Sequence, residues 1–300
     1  MRPVLCLPIA ALSLLVACVV APNESTSSSD IVAVNRIAVN RIAVNRIAVN
    51  RIAVNRIAVN RIAVNRLSVN LLTARDLLAT VEGRELFSLI VSCALPDTIT
   101  LVATVDGTDF EFFGEIGLAP QWINHRLDRE GQRWVSACMF ARVNAQELFI
   151  PISMRGPDRQ LAADADERAQ WTLEEGAFYG NVFGPLNEPI QWFACRGRDL
   201  AAGEAGDLAR RDCAKPDPAN PGFTLCGFVF AGDCGNFAGD QACEVFSPTG
   251  TFYRACHTSP IRHHHHDHHD GRDFDRDGDR DRDDDEDDVF TQVITTFVIP

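Results

Sequence analysis

Residues Thr98–Phe113 read TITLVATVDGTDFEFF, and their pattern decides the fold class. Ile99, Leu101, Ala103 and Val105 alternate with polar or smaller residues, which is the period of a half-buried strand. Asp106-Gly107 follows, the pair that closes a two-residue hairpin because both positions tolerate positive φ. Phe110 and Phe112 then line a return strand. The segment before this hairpin is helical in period. Thr73-Ala-Arg-Asp76 fits a capping box, and Ala74, Leu77, Leu78 and Val81 share a face. Gly83 interrupts, and a second apolar face of Leu86, Phe87, Ile90 and Cys93 runs to Leu95, ahead of the helix-stopping Pro96.

Downstream, Trp134, Cys138 and Ala141 share a helical face between Asp128 and Arg142. Strand patterns are expected at Leu148–Met154, Ala177–Phe183, Ile190–Cys195, Leu225–Ala231 and Val245–Arg254. Helices early and strands later, without a βαβ rhythm, give an α+β domain over 72–262.

The N-terminus has a different character. Behind Arg2, the apolar run Val4–Val16 ends in Leu15-Val-Ala-Cys18, the layout of a secretory signal with small residues before the cut. The run is shorter than the ~20 apolar residues of a membrane-spanning helix. Residues 1–17 thus read as a signal peptide and 18–31 as an anchor and a small, polar tether. The Leu15–Cys18 stretch resembles the lipobox of bacterial lipoproteins, and Leu86–Gly156, with VSCALP and QRWVSACMFARVN, resembles lipoproteins of unknown function from GC-rich Gram-negative bacteria. The resemblance implies lipidation of Cys18 and an extracytoplasmic place on the outer membrane or cell surface. The membrane would then be a partner through the lipid, beside an envelope or surface protein or glycan.

Eight cysteines follow Cys18: Cys93, Cys138, Cys195, Cys213, Cys226, Cys234, Cys243 and Cys256. An even number in an exported chain reads as a disulfide framework whose pairing the sequence leaves open.

Between tether and domain, residues 32–71 repeat a pentad, with six perfect copies of IAVNR over 37–66. On a helix each copy advances by about 140°, so no apolar stripe forms. On a flat strand an odd period swaps faces at every copy. The segment resembles pentapeptide-repeat proteins, which implies a short four-sided β-coil. A loosely ordered spacer is the other reading.

Charge is segregated. Residues 31–71 hold seven arginines and no acid, whereas 263–288 hold thirteen acids against four arginines. The main domain is acidic, which argues against nucleic acid as a partner, since phosphate binding needs a basic face.

Within 263–288, Asp273, Asp275, Asp277, Asp279, Asp281 and Asp284, with Gly278 sixth, match the alternating oxygen donors of a calcium loop. His263, His264, His265, His266, His268 and His269 offer imidazoles to zinc or nickel. Weak binding of calcium or of zinc or nickel is therefore an expectation, and no cofactor is required. The last residues, 289–300, are apolar and strand-like.

Catalytic material is sparse. His125 and His257 stand apart from the histidine run, and no nucleophile elbow, zinc-protease helix or phosphate-cradling loop occurs. Glu174-Glu175 and Asp164/Asp166 offer carboxylate pairs, expected to be solvated, and Trp122, Trp134, Trp171 and Trp192 read as core. The leading reading is a membrane-anchored lipoprotein with a structural or binding role and no identifiable catalytic activity. Its alternatives are a secreted hydrolase or carbohydrate-active enzyme with scattered acids, and a surface metal-binding protein using 263–288.

Overall fold

The computed structural model describes residues 31–35, 77–144, 150–183, 190–237, 241–245, 251–258 and 289–300. Cys18, residues 36–71 of the pentad segment and the metal-ligand candidates of 263–288 lie outside the described residues.

The fold is α+β with four disulfides. Strand β1 (Ile31–Asn35) pairs antiparallel with β2 (Ile99–Val105), which pairs with β3 (Thr108–Phe113). The hairpin closes at Asp106 (φ 49°) and Gly107 (φ 82°), so Val105 faces Thr108, the tight turn that Asp-Gly favours.

Helix α1 (Val81–Ala94) packs against β3 and against α2 (Arg129–Arg142), and the Cys93–Cys138 bridge ties the two helices together. Asp128 caps α2 by accepting from the Gly131 amide at 2.8 Å, at the expected position. The cap expected at Thr73, for the face from Ala74 to Val81, falls outside the described residues; α1 is capped by Thr80, whose Oγ1 accepts from the Gly83 amide at 3.0 Å. Gly83 is therefore no interruption. A Cβ there would stand 1.7 Å from the Leu77 carbonyl oxygen, so glycine lets the first turn pass under the preceding chain.

α2 lies across the central sheet, ordered β4 (Ser153–Arg155), β11 (Ile294–Val298), β5 (Leu173–Asn181), β6 (Gln191–Arg196), β7 (Val229–Asp233). The pairs are antiparallel except β6–β7, which is parallel. Between them run the short helix α4 (Arg198–Ala202), a 3-10 turn at Gly206–Arg210 and the Cys213–Cys226 loop. Another short helix, α3 (Ala165–Gln170), precedes β5 and is capped by Asp164.

Alternate residues of β5 and β6 serve two cores. Phe178 and Ala194 belong to the main core, while Ala177, Tyr179 and Cys195 belong to a second one. The second core is covered by a small sheet ordered β10 (Val289–Phe290), β9 (Tyr253–His257), β8 (Cys243–Val245).

Four strand expectations need correction. β5 starts at Leu173, ahead of the expected Ala177, and ends at Asn181. The run Val245–Arg254 holds Pro248 and Gly250, and Val245 and Tyr253 pair across β8 and β9, so the chain reverses between them. The run at Leu225 yields its strand only from Val229, because Thr224 closes a turn: its carbonyl accepts from Gly227 N at 2.8 Å and its Oγ1 from Phe228 N at 3.1 Å. β4 likewise begins at Ser153 and not at Leu148, and 145–149 lie outside the described residues.

Candidate functional site

The eight cysteines pair as Cys93–Cys138, Cys195–Cys234, Cys213–Cys226 and Cys243–Cys256. Two of these bridges meet. Cys195 Sγ and Cys243 Sγ are 3.3 Å apart, and Cys256 Sγ lies within 4.8 Å of both. Cys195 comes from β6, Cys234 directly follows β7, and Cys243 and Cys256 face each other across β8 and β9. All four are fully buried in the second core beside Tyr179, Tyr253 and Phe290.

This core also collects polar groups. Tyr179 and Tyr253 are the chain's only tyrosines. Tyr179 donates its hydroxyl to the His257 carbonyl at 2.6 Å, and Tyr253 donates to Glu174 Oε1 at 2.7 Å. Both phenols are pushed above the ordinary range by burial, so they stay protonated donors. The Glu174 carboxyl is raised above its usual value, again by burial, against the pull of the Tyr253 hydroxyl and the Arg198 amide. Beside it, Arg196 Nε holds Asp233 at 2.7 Å.

Glu174 and Glu175 are thus not the solvated pair expected, and both are buried. The β5–β11 register shifts at this point: Thr296 faces Gly176 and Phe297 faces Glu174, so Glu175 is the extra residue of a bulge. Its oxygens accept from Arg211 Nε and Nη2, both at 2.8 Å, and from the Thr296 hydroxyl at 2.7 Å. Arg211 also donates to the Val143 and Ala141 carbonyls, capping the C-terminal end of α2. This carboxylate is fully engaged.

Of the other candidates, His125 is exposed in the loop after Pro120–Ile123, and His257 sits on β9 with its Nε2 buried and unbonded. The structure assigns them to different elements. Asp164 and Asp166 are exposed, and Asp164 caps α3. Trp122, Trp134 and Trp171 are buried and Trp192 packs half-buried on the main core, edge-on to Phe228. Asp212 Oδ1 lies 3.2 Å from Cys226 Sγ and 3.8 Å from Cys213 Sγ. A thiolate there would face a buried carboxylate, so Asp212 favours the bridged form.

Arg211, Arg196–Asp233 and the two tyrosines carry no motif that marks them in the sequence. The one available signal was the acidic pair inside the apolar run Leu173–Phe183, a position where a strand buried on both faces must satisfy its charges. Metal ligation by the converging sulfurs requires thiolates, and bridged sulfur carries no such charge. The chemistry that this arrangement offers is thiol–disulfide exchange.

No protein-family model, curated protein or solved structure matches the chain. Among the described residues, no helix is long and apolar enough to cross a membrane.

Proposed function

We propose that this chain is an extracytoplasmic lipoprotein, anchored through a lipid on Cys18, whose disulfide-bonded α+β domain has a structural or binding role at the cell envelope. The observation that carries this reading is the pairing of all eight cysteines downstream of Cys18. Disulfides form and persist in oxidising compartments and are rare where thiols are kept reduced. Cys18 stands outside this set, behind an apolar run and small residues, where a lipid-bearing cysteine belongs. The site's chemistry supports a non-catalytic role: Glu175 spends both oxygens on Arg211 and Thr296, and Glu174 accepts from Tyr253 and from the Arg198 amide. The partner class that suits an acidic, anchored domain is an envelope or surface protein or glycan.

The test is metabolic labelling with palmitate in a bacterial host that processes lipoproteins. The wild-type chain incorporates label and fractionates with membranes, and Cys18→Ser does neither. Equal labelling of the two forms contradicts the proposal.

A further inference from the structure

The contact between two bridges has a chemical consequence. A disulfide is transferred when a thiolate attacks one of its sulfurs and displaces the other. Such attack needs a sulfur held against a bridge, and Cys243 Sγ is 3.3 Å from Cys195 Sγ. The remaining bridges lack this arrangement: Cys213 and Cys226 converge with Asp212 and with no other cysteine. Cys93 and Cys138 join α1 to α2 in the main core, away from the second one.

We propose that Cys195–Cys234 and Cys243–Cys256 form one exchange-coupled unit, in which a thiolate freed at Cys243 takes over Cys195 and releases Cys234. The first step is reduction of Cys243–Cys256 by an external dithiol, which supplies two electrons and becomes a disulfide itself. In the second step the Cys243 thiolate attacks Cys195 Sγ. The Cys195–Cys234 bond breaks, a Cys195–Cys243 bond forms, and Cys234 leaves as a thiolate that takes a proton. This step moves a bridge without net oxidation or reduction.

The result is structural. In the native pairing each bridge stays within one sheet, Cys195–Cys234 on the β6–β7 side and Cys243–Cys256 across β8 and β9. Cys195–Cys243 would instead join β6 to β8, binding the two sheets that enclose the second core. It would free Cys256 on β9 and Cys234 beyond β7. A reducing challenge that reaches the first bridge would therefore exchange an intra-sheet staple for an inter-sheet one. The cluster is a redox-sensitive switch. The attacking species is the thiolate, so alkaline pH favours transfer.

The decisive experiment uses full-length Cys256→Ser, acid-quenched, alkylated and mapped by mass spectrometry without reduction. The expected product has Cys195 linked to Cys243 and Cys234 alkylated. An intact Cys195–Cys234 bridge with Cys243 alkylated overturns the proposal. Cys226→Ser serves as a control and should leave Cys213 as the single alkylated partner. Should Cys256→Ser not fold, wild-type protein treated with limiting dithiol gives the same answer. Cys195–Cys243 with Cys234 and Cys256 alkylated supports exchange. Persistence of Cys195–Cys234 with Cys243 and Cys256 alkylated, after the treated protein has been held at alkaline pH before quenching, refutes it.

Discussion

Glu174 and Glu175 sit side by side in sequence, yet they serve different elements. Glu175 forms a bidentate pair with Arg211, and both side chains are fully buried. Coulombic gain alone does not justify such a pair, because desolvation of two charges is comparably large. What distinguishes it is completeness: Arg211 spends its donors on Glu175 and on the carbonyls of Ala141 and Val143 at the end of α2, and Thr296 fills Glu175 Oε2. Removal of either partner alone would leave a buried charge at a cost of about 3–5 kcal/mol. Glu174 has no such cation, and burial raises its pKa above the ordinary 4.5. Between 4.5 and that raised value the folded chain holds a proton that the unfolded chain has lost, so stability falls as pH rises through this window. Glu115 shifts in the same direction, with burial outweighing Arg142. We expect Glu174→Gln to keep the Tyr253 hydrogen bond and to flatten this slope. Urea unfolding at pH 4.5 and 7.5 checks it: the variant should gain on wild type between the two pH values, and a wild-type slope left unchanged contradicts the assignment.

At the scale of elements, β11 is the unexpected keystone. It is the last strand in the chain but lies between β4 and β5, with Ile294 through Val298 buried. Val293, Ile294, Phe297 and Val298 each contribute about 1.5–3 kcal/mol by burial, a sum comparable to the whole net stability of a domain. A chain ending at Asp288 should therefore show no cooperative melting transition by circular dichroism. A transition within a few degrees of wild type would show that β11 is dispensable.

The apolar pattern of 289–300 announced a strand, but no local signal announces a central position, because sheet order is set by long-range pairing. The same division holds elsewhere. The Asp106-Gly107 hairpin and the Asp128-capped helix were legible because their determinants lie within a few residues. The cap at Thr80 was hidden because Gly83 answers to Leu77, a tertiary-like approach of chain to chain. The disulfide pairing and the meeting of two bridges depend on sheet packing and left no mark in spacing.

For the whole molecule, the four bridges close loops of 45, 39, 13 and 13 residues in sequence separation. Chain-entropy reasoning gives about 3 kcal/mol for the short loops and about 4 for the long ones, although nested loops do not add fully. That total rivals the entire stability of a typical domain, which supports the proposed location in a compartment where disulfides survive. This is the link from the cysteine framework to the proposed anchoring, and it places the weight of the account on the N-terminus. The most direct measurement is the mass of the N-terminal peptide of protein purified from bacterial membranes in detergent. The proposal predicts a peptide that begins at Cys18 and carries a thioether-linked diacylglycerol. A peptide that begins at Met1, or at any unlipidated residue, contradicts it.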